Sequence, residues 1–124
     1  LYQFFDKKSH LEEVTRTLPA VKRGDTWTLG FTVSQSVGGA PVDLTGCTAY
    51  LQLRHPQTEA LVAAPDSIIL TPLTGSVVAT FLPVTTAIVP VGTYLTDLEI
   101  LFSDGEVRSS QTLALPVLTD QTRP

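Results

Sequence analysis

Charged side chains make up only 16% of this 124-residue chain; cysteine occurs once, histidine twice and methionine not at all. With Cys47 alone, an intrachain disulfide and a thiolate metal cluster are both excluded, and its place on an apolar strand face suits a small buried hydrophobe. No run reaches the roughly 18 apolar residues of a membrane-spanning helix. No secretory leader is legible, so the chain reads as made in a cytoplasm. It begins at Leu1 without a methionine, which fits either a removed initiator or a segment cut from a longer product. The formal charge of −4 counts against a nucleic-acid binder, whose affinity comes from Lys and Arg neutralising phosphates.

Catalytic signatures are missing as well. There is no Gly-x-Ser-x-Gly elbow, Gly-x-Gly-x-x-Gly turn, Walker loop or His-Glu-x-x-His pair. A metal site would need His10 and His55 brought together with carboxylates, and His55 reads instead as a surface residue beside a turn. Asp97 and Glu99 share one strand face and are the nearest approach to a paired-carboxylate site, yet residues at i and i+2 on a strand usually form its solvated side. The Asp104-Gly105 pair is a turn and not a calcium loop. The expectation is a protein without catalytic residues, metal or cofactor.

What the chain does contain is a repeated period of two. Trp27, Leu29, Phe31 and Val33 alternate with Thr26, Thr28, Gly30 and Thr32; Cys47, Ala49, Leu51 and Leu53 alternate with Thr48, Tyr50, Gln52 and Arg54. Further strands are read at Ile68–Leu70, at Val77, Ala79 and Phe81, at Tyr94, Leu98, Ile100 and Phe102, and through Val107, Leu113, Leu115 and Val117. Turn signals at Gly38-Gly39, Thr74-Gly75 and Ser103–Glu106 separate them. Short strands with turns about every ten residues predict one all-β domain, an immunoglobulin-like antiparallel β-sandwich of about seven strands. The predicted core comprises Trp27, Leu29, Phe31, Leu51, Leu53, Phe81, Leu98 and Ile100.

Two structural corners stand out. In Pro41–Gly46, Pro41 fixes φ and lacks a donor, Asp43 and Thr45 have side chains that bond nearby amides, and Gly46 permits positive φ. The segment Pro83–Pro90 reads as the crossover between the two sheets. It leads to Tyr94, which is either a tyrosine corner bonding to backbone a few residues upstream or an ordinary core tyrosine.

Residues 1–16 read as an N-terminal arm, 17–120 as the sandwich and 121–124 as a tail. Residues 1–25 hold five Lys or Arg and four Asp or Glu; the remainder hold three and eight, so arm and body differ in sign. Ser9 and Glu12 suit a capping box ahead of a helical turn over Leu11–Val14. Tyr2, Phe4 and Phe5 each cost about 1.5 to 3 kcal/mol if left in water, so they should pack on this domain or on a neighbour. With Lys7 and Lys8 they form the candidate interaction segment. Sparse charge elsewhere also points to a surface partly covered by partners.

The succession Arg23-Gly24-Asp25-Thr26, Pro41-Val42-Asp43-Leu44-Thr45-Gly46, Gly75 before a strand, Gly92-Thr93-Tyr94 with Asp97 and Glu99, and Asp104-Gly105 resembles the N-terminal domain of phage baseplate upper proteins over residues 17–120. Related immunoglobulin-like domains occur in tail-fibre, neck and head-decoration proteins. The resemblance implies a non-enzymatic virion structural protein that docks on other virion subunits in a trimeric or hexameric ring, without nucleic acid or membrane. It implies a structural role for the Asp-Leu-Thr-Gly corner. The chain departs from the baseplate pattern in lacking a long C-terminal region and in carrying the arm, which leaves a capsid decoration, head-fibre or neck protein as the alternative. A carbohydrate-binding module for host surfaces is the alternative from another class, with Tyr50 as its outward aromatic.

Overall fold

Alternating apolar residues can be buried along a strand only if a second sheet covers that face, and the chain folds into two facing sheets. The computed structural model describes residues 2–5, 16–34 and 40–120. The strands are β1 (Tyr2–Phe5), β2 (Arg16–Thr17), β3 (Val21–Lys22), β4 (Trp27–Ser34), β5 (Thr48–Arg54), β6 (Leu61–Ala63), β7 (Ser67–Thr71), β8 (Ser76–Phe81), β9 (Gly92–Leu101), β10 (Val107–Ser109) and β11 (Leu113–Leu118). One helical turn, α1 (Pro83–Thr86), lies between β8 and β9. The first sheet runs β1-β4-β8-β7; the second runs β2-β11-β9-β5-β6, with β10 on β9 and β3 on β11. The protein is an all-β sandwich of the immunoglobulin-like kind.

Every residue of the predicted core is buried, together with Val33, Leu44, Val77, Val89, Leu115 and Val117. Trp27 and Phe81 are register partners across β4 and β8, and their rings lie 5.6 Å apart at a tilt of 52°. The indole N–H donates to the Lys22 carbonyl at 2.7 Å, so the polar edge of the ring is satisfied inside the core. Thr96 sits inward between Tyr94 and Leu98, and its hydroxyl donates to the Gln52 carbonyl at 2.7 Å. That bond removes the cost of burying the hydroxyl. Cys47 is half-buried and packs against the core, whereas Val107 is exposed.

The segment Pro83–Pro90 joins β8 of the first sheet to β9 of the second, as the crossover reading requires. The turn at 103–106 closes the β9–β10 hairpin: the Phe102 amide donates to the Glu106 carbonyl at 2.8 Å.

More strands form than the roughly seven that alternation and turns reveal. The additional ones are short and lie at sheet edges. β1 pairs with β4 in parallel, Tyr2 opposite Phe31 and Phe5 opposite Ser34, while β2 and β3 pair in parallel with β11. Segments of two to four residues carry no measurable period, and parallel edge pairing needs no adjacent turn; each simply satisfies backbone groups that an edge strand leaves open. The separation of residues 1–16 from the sandwich is accordingly corrected for Tyr2–Phe5, which belongs to the first sheet. Lys7 and Lys8, His10, the Leu11–Val14 turn with Ser9 and Glu12, the Gly38-Gly39 turn and the tail at 121–124 lie outside the described residues.

Candidate functional site

The Pro41–Gly46 corner alternates like a strand, with Val42 and Leu44 buried and Asp43 and Thr45 facing water. Leu44 is buried in the core, and its amide donates to the Pro72 carbonyl at 3.1 Å. Pro41 forms an isolated bridge with Ser34, where its missing N–H is no loss. Gly46 has φ +77°, the left-handed conformation expected of it.

Asp43 accepts two hydrogen bonds at Oδ1, from the Thr45 hydroxyl at 2.6 Å and from the Thr45 amide at 2.9 Å. These two bonds, the hydroxyl first, hold its carboxyl below the ordinary aspartate value. A depressed folded-state value means that the corner gains stability while Asp43 is ionised and loses it as pH falls below the usual aspartate range. An NMR titration should give Asp43 a midpoint below that of an unfolded peptide, and Thr45→Val should raise it. An unshifted midpoint in the wild-type chain would contradict the two-bond geometry.

Tyr94 reconciles both readings made of it. Its ring is buried in the core, and its phenol donates to the Pro90 carbonyl at 2.6 Å, four residues upstream. The bond ties the start of β9 to the crossover. The bonds at these two corners, from Thr45 to Asp43 and from Tyr94 to Pro90, are all made within the chain itself.

Asp97 and Glu99 lie on the outer face of the second sheet, opposite Gln52 and Tyr50 respectively. Along with Arg54 and His55 they border an open depression of about 700 Å³. His55 is committed to the neighbouring turn: its Nδ1 accepts the Gln57 and Thr58 amides at 3.2 and 3.3 Å. Arg54 donates to Gln52 and to the Glu59 carbonyl. Among the described residues no three His, Cys, Asp or Glu side chains are grouped to hold a metal ion. Tyr50 is 49% exposed, and among the described residues it is the one Phe, Tyr or Trp bordering this depression.

A different surface emerges from the crossover. Val84 and Ile88 are 75% and 76% exposed, and Leu82 and Val91 beside them are also exposed. Their backbone is nevertheless held firmly. The Asp66 carboxylate caps α1 from another strand connection, accepting the Leu82 amide at 2.7 Å and the Thr85 hydroxyl at 2.9 Å. Thr86 is fully buried; its hydroxyl donates to the Asp25 carbonyl at 2.7 Å and accepts the Gly24 amide at 3.1 Å. Arg23 donates to the Ala87 carbonyl at 2.7 Å, and Val89 inserts into the core. The result is a rigid aliphatic tip at one end of the sandwich.

The outer face of the first sheet is equally unusual. Its middle row is Ile69, Val78 and Gly30 on β7, β8 and β4, and the outward positions above and below are all Ser or Thr. Among the described residues of β4, β7 and β8 no charge occurs on this face. Both surfaces draw on residues 67–96, thirty consecutive positions without Asp, Glu, Lys or Arg. Low overall charge pointed to assembly without locating it; the length of this uncharged run was the signal that would have done so.

The candidate interaction residues Tyr2, Phe4 and Phe5 belong to β1, in register with Phe31, Val33 and Ser34. They are therefore part of an edge strand rather than a separate arm.

No family model matches the chain, and no curated protein is similar to it. Among solved structures it is similar to CopC from Methylosinus trichosporium OB3b, at 13% identity over 87% of this chain and 89% of that one, with a TM-score of 0.40. A likeness at that score transfers no residue role.

Proposed function

We propose that this chain is a non-enzymatic structural module of a phage virion, an adaptor of the tail or baseplate that docks on other subunits. The observation that carries the reading is the pairing of a charge-free sheet face with a rigid, exposed aliphatic tip in a chain that buries a complete core of its own. Surfaces of that kind are disfavoured on a solitary soluble domain and suit contacts with other proteins. The turn residues that resemble baseplate upper proteins supply the virion context, and they would serve equally in a capsid decoration, head-fibre or neck protein. The acidic balance fits a partner that is neither nucleic acid nor an anionic membrane surface.

Gold-labelled antibody against the chain, viewed by electron microscopy on particles from the producing culture, tests the reading. Label at the tail end is the expected result, label at the head selects the decoration alternative, and unlabelled particles overturn a virion role. A second reading rests on Tyr50, whose exposed ring beside Gln52 and Asp97 offers a stacking platform for a sugar. Sugar platforms usually present more than one ring, so assembly is preferred. Glycan-array binding abolished by Tyr50→Ala would reverse that preference.

A further inference from the structure

An edge strand can pair with another chain, and folds guard their edges with charge, proline, bulges or shortness. Most edges of this sandwich are guarded. β6 is three residues long, and its ladder with β5 shifts register between Leu53 and Arg54. β2 and β3 carry Arg16 and Lys22 and are parted by Pro19, and β10 carries Arg108. β1 is followed in the sequence by Asp6, Lys7 and Lys8. β7 has none of these devices. It pairs with β8 throughout Ser67–Thr71 without a shift, and it has no charge or proline within those bounds. Among the described residues no strand pairs with its other side.

We propose that β7 is a docking edge whose occupant is β7 of a second copy, the two strands running antiparallel about a two-fold axis at Ile69. The order of residues names that occupant. Ser67-Ile68-Ile69-Leu70-Thr71 reads the same by chemical type in both directions. The two-fold register sets Ile69 opposite itself, Ile68 opposite Leu70 and Ser67 opposite Thr71, so apolar meets apolar and hydroxyl meets hydroxyl. A two-fold normal to the sheet also keeps the faces together. Ile68 and Leu70, half-buried against the core, meet on the inner side; exposed Ser67, Ile69 and Thr71 meet on the outer side. Exposed Asp66 adjoins the strand, and the same register sets it opposite Pro72 of the second copy. The two Asp66 residues are then about 20 Å apart, beyond the roughly 8 Å screening length of physiological salt. Area sets the strength. Five residues a side fall well short of the about 20 to 30 of a stable interface, so the dissociation constant is on the order of 0.1 to 1 mM. An isologous contact closes at two copies. It goes beyond the assembly reading above and does not rest on it.

Cysteine cross-linking in a Cys47→Ser background tests the register. Directly opposed residues of an antiparallel pair have Cα atoms about 4.5 to 5.5 Å apart, within disulfide range. Ser67→Cys, Ile69→Cys and Thr71→Cys are made singly, each at an exposed side chain, and circular dichroism and urea midpoints matching the background establish that they fold. Proteins are oxidised mildly near the dissociation constant, and dimers are identified by mass. Ile69→Cys should cross-link to itself. Ser67→Cys and Thr71→Cys should each stay monomeric alone and cross-link when mixed. These opposed pairs should exceed the mismatched pair of Ser67→Cys with Ile69→Cys by roughly tenfold or more, and Ile69→Lys added to both members of the 67–71 pair should remove the excess. Equal yields for every combination, or no cross-link at all, overturn the proposal. Dimers of Ser67→Cys with itself overturn it by marking another register. Cross-linking of Ile69→Cys to Gln3→Cys in place of itself also overturns it, and marks β1 of a neighbour as the occupant. Register-specific cross-links with unlabelled virions would leave this contact standing and refute the virion reading; labelled virions without such cross-links would do the reverse.

Discussion

Phe31→Ala should lower the free energy of unfolding by about 3 to 5 kcal/mol, the range for emptying a large aromatic site in a packed core. Phe31 is buried on β4, opposite Val77 of β8, with the Leu29–Ala79 pair between it and the Trp27–Phe81 pair on the same inner face. Regular strands flank it on both sides, so the cavity cannot collapse without breaking the β4–β8 ladder. Urea denaturation measures the effect, read from the midpoint at unchanged slope. A loss below about 1 kcal/mol would show that Phe31 is not in the core.

Gly75→Ala should cost on the order of 3 kcal/mol, combining left-handed strain with a steric clash. Gly75 has φ +66° after the 3-10 turn Pro72–Thr74, and a Cβ there would stand 2.5 Å from the Val33 carbonyl oxygen and 3.2 Å from that of Val42. The nearer oxygen is not free to withdraw. The Val33 carbonyl accepts the Val42 amide at 2.9 Å, and the Val33 amide donates to the Gly75 carbonyl at 2.7 Å. Relief of the clash therefore pulls β4 away from both the turn and the Pro41–Gly46 corner. Gly24 provides the control, with φ +83° and nothing within 4 Å of an added Cβ. Gly24→Ala should cost only the backbone strain, about 1 to 2 kcal/mol. Equal losses at the two sites would mean that the close approach at Gly75 contributes nothing.

These two effects would bear on the proposed assembly role through rigidity. The corner and the crossover are tied to backbone elsewhere in the fold by hydrogen bonds that Leu44 and Thr86 donate, and the turn at Gly75 by one that the Gly75 carbonyl accepts from the Val33 amide. A module that transmits position between subunits needs its contact surfaces fixed relative to its core. The tip has that property, since Asp66 and Arg23 hold α1 from two separate chain segments.

Alternation alone determined most of the sandwich. Trp27, Leu29 and Phe31 on β4, and Leu51 and Leu53 on β5, are inward because a strand's side chains alternate and only one face of each sheet is covered. The corner was legible for an equally local reason: Asp43 reaches the Thr45 amide two residues on, and Gly46 adopts a φ that other residues resist. Tyr94 was half legible, because its burial follows from β9 whereas its bond to Pro90 depends on how the crossover is laid down. Three features belonged to the tertiary structure. β1 joins β4 through parallel backbone pairing, which depends on an open edge and not on any pattern in Tyr2–Phe5. Asp66, Gly24 and Asp25 turn Thr86 and Val89 inward, and so leave Val84 and Ile88 facing out, although all four lie in one short uncharged stretch of Val, Ile, Ala and Thr. The charge-free face exists because β4, β7 and β8 align Gly30, Ile69 and Val78 in one row, and residues so far apart in sequence share a surface only once the strands have paired.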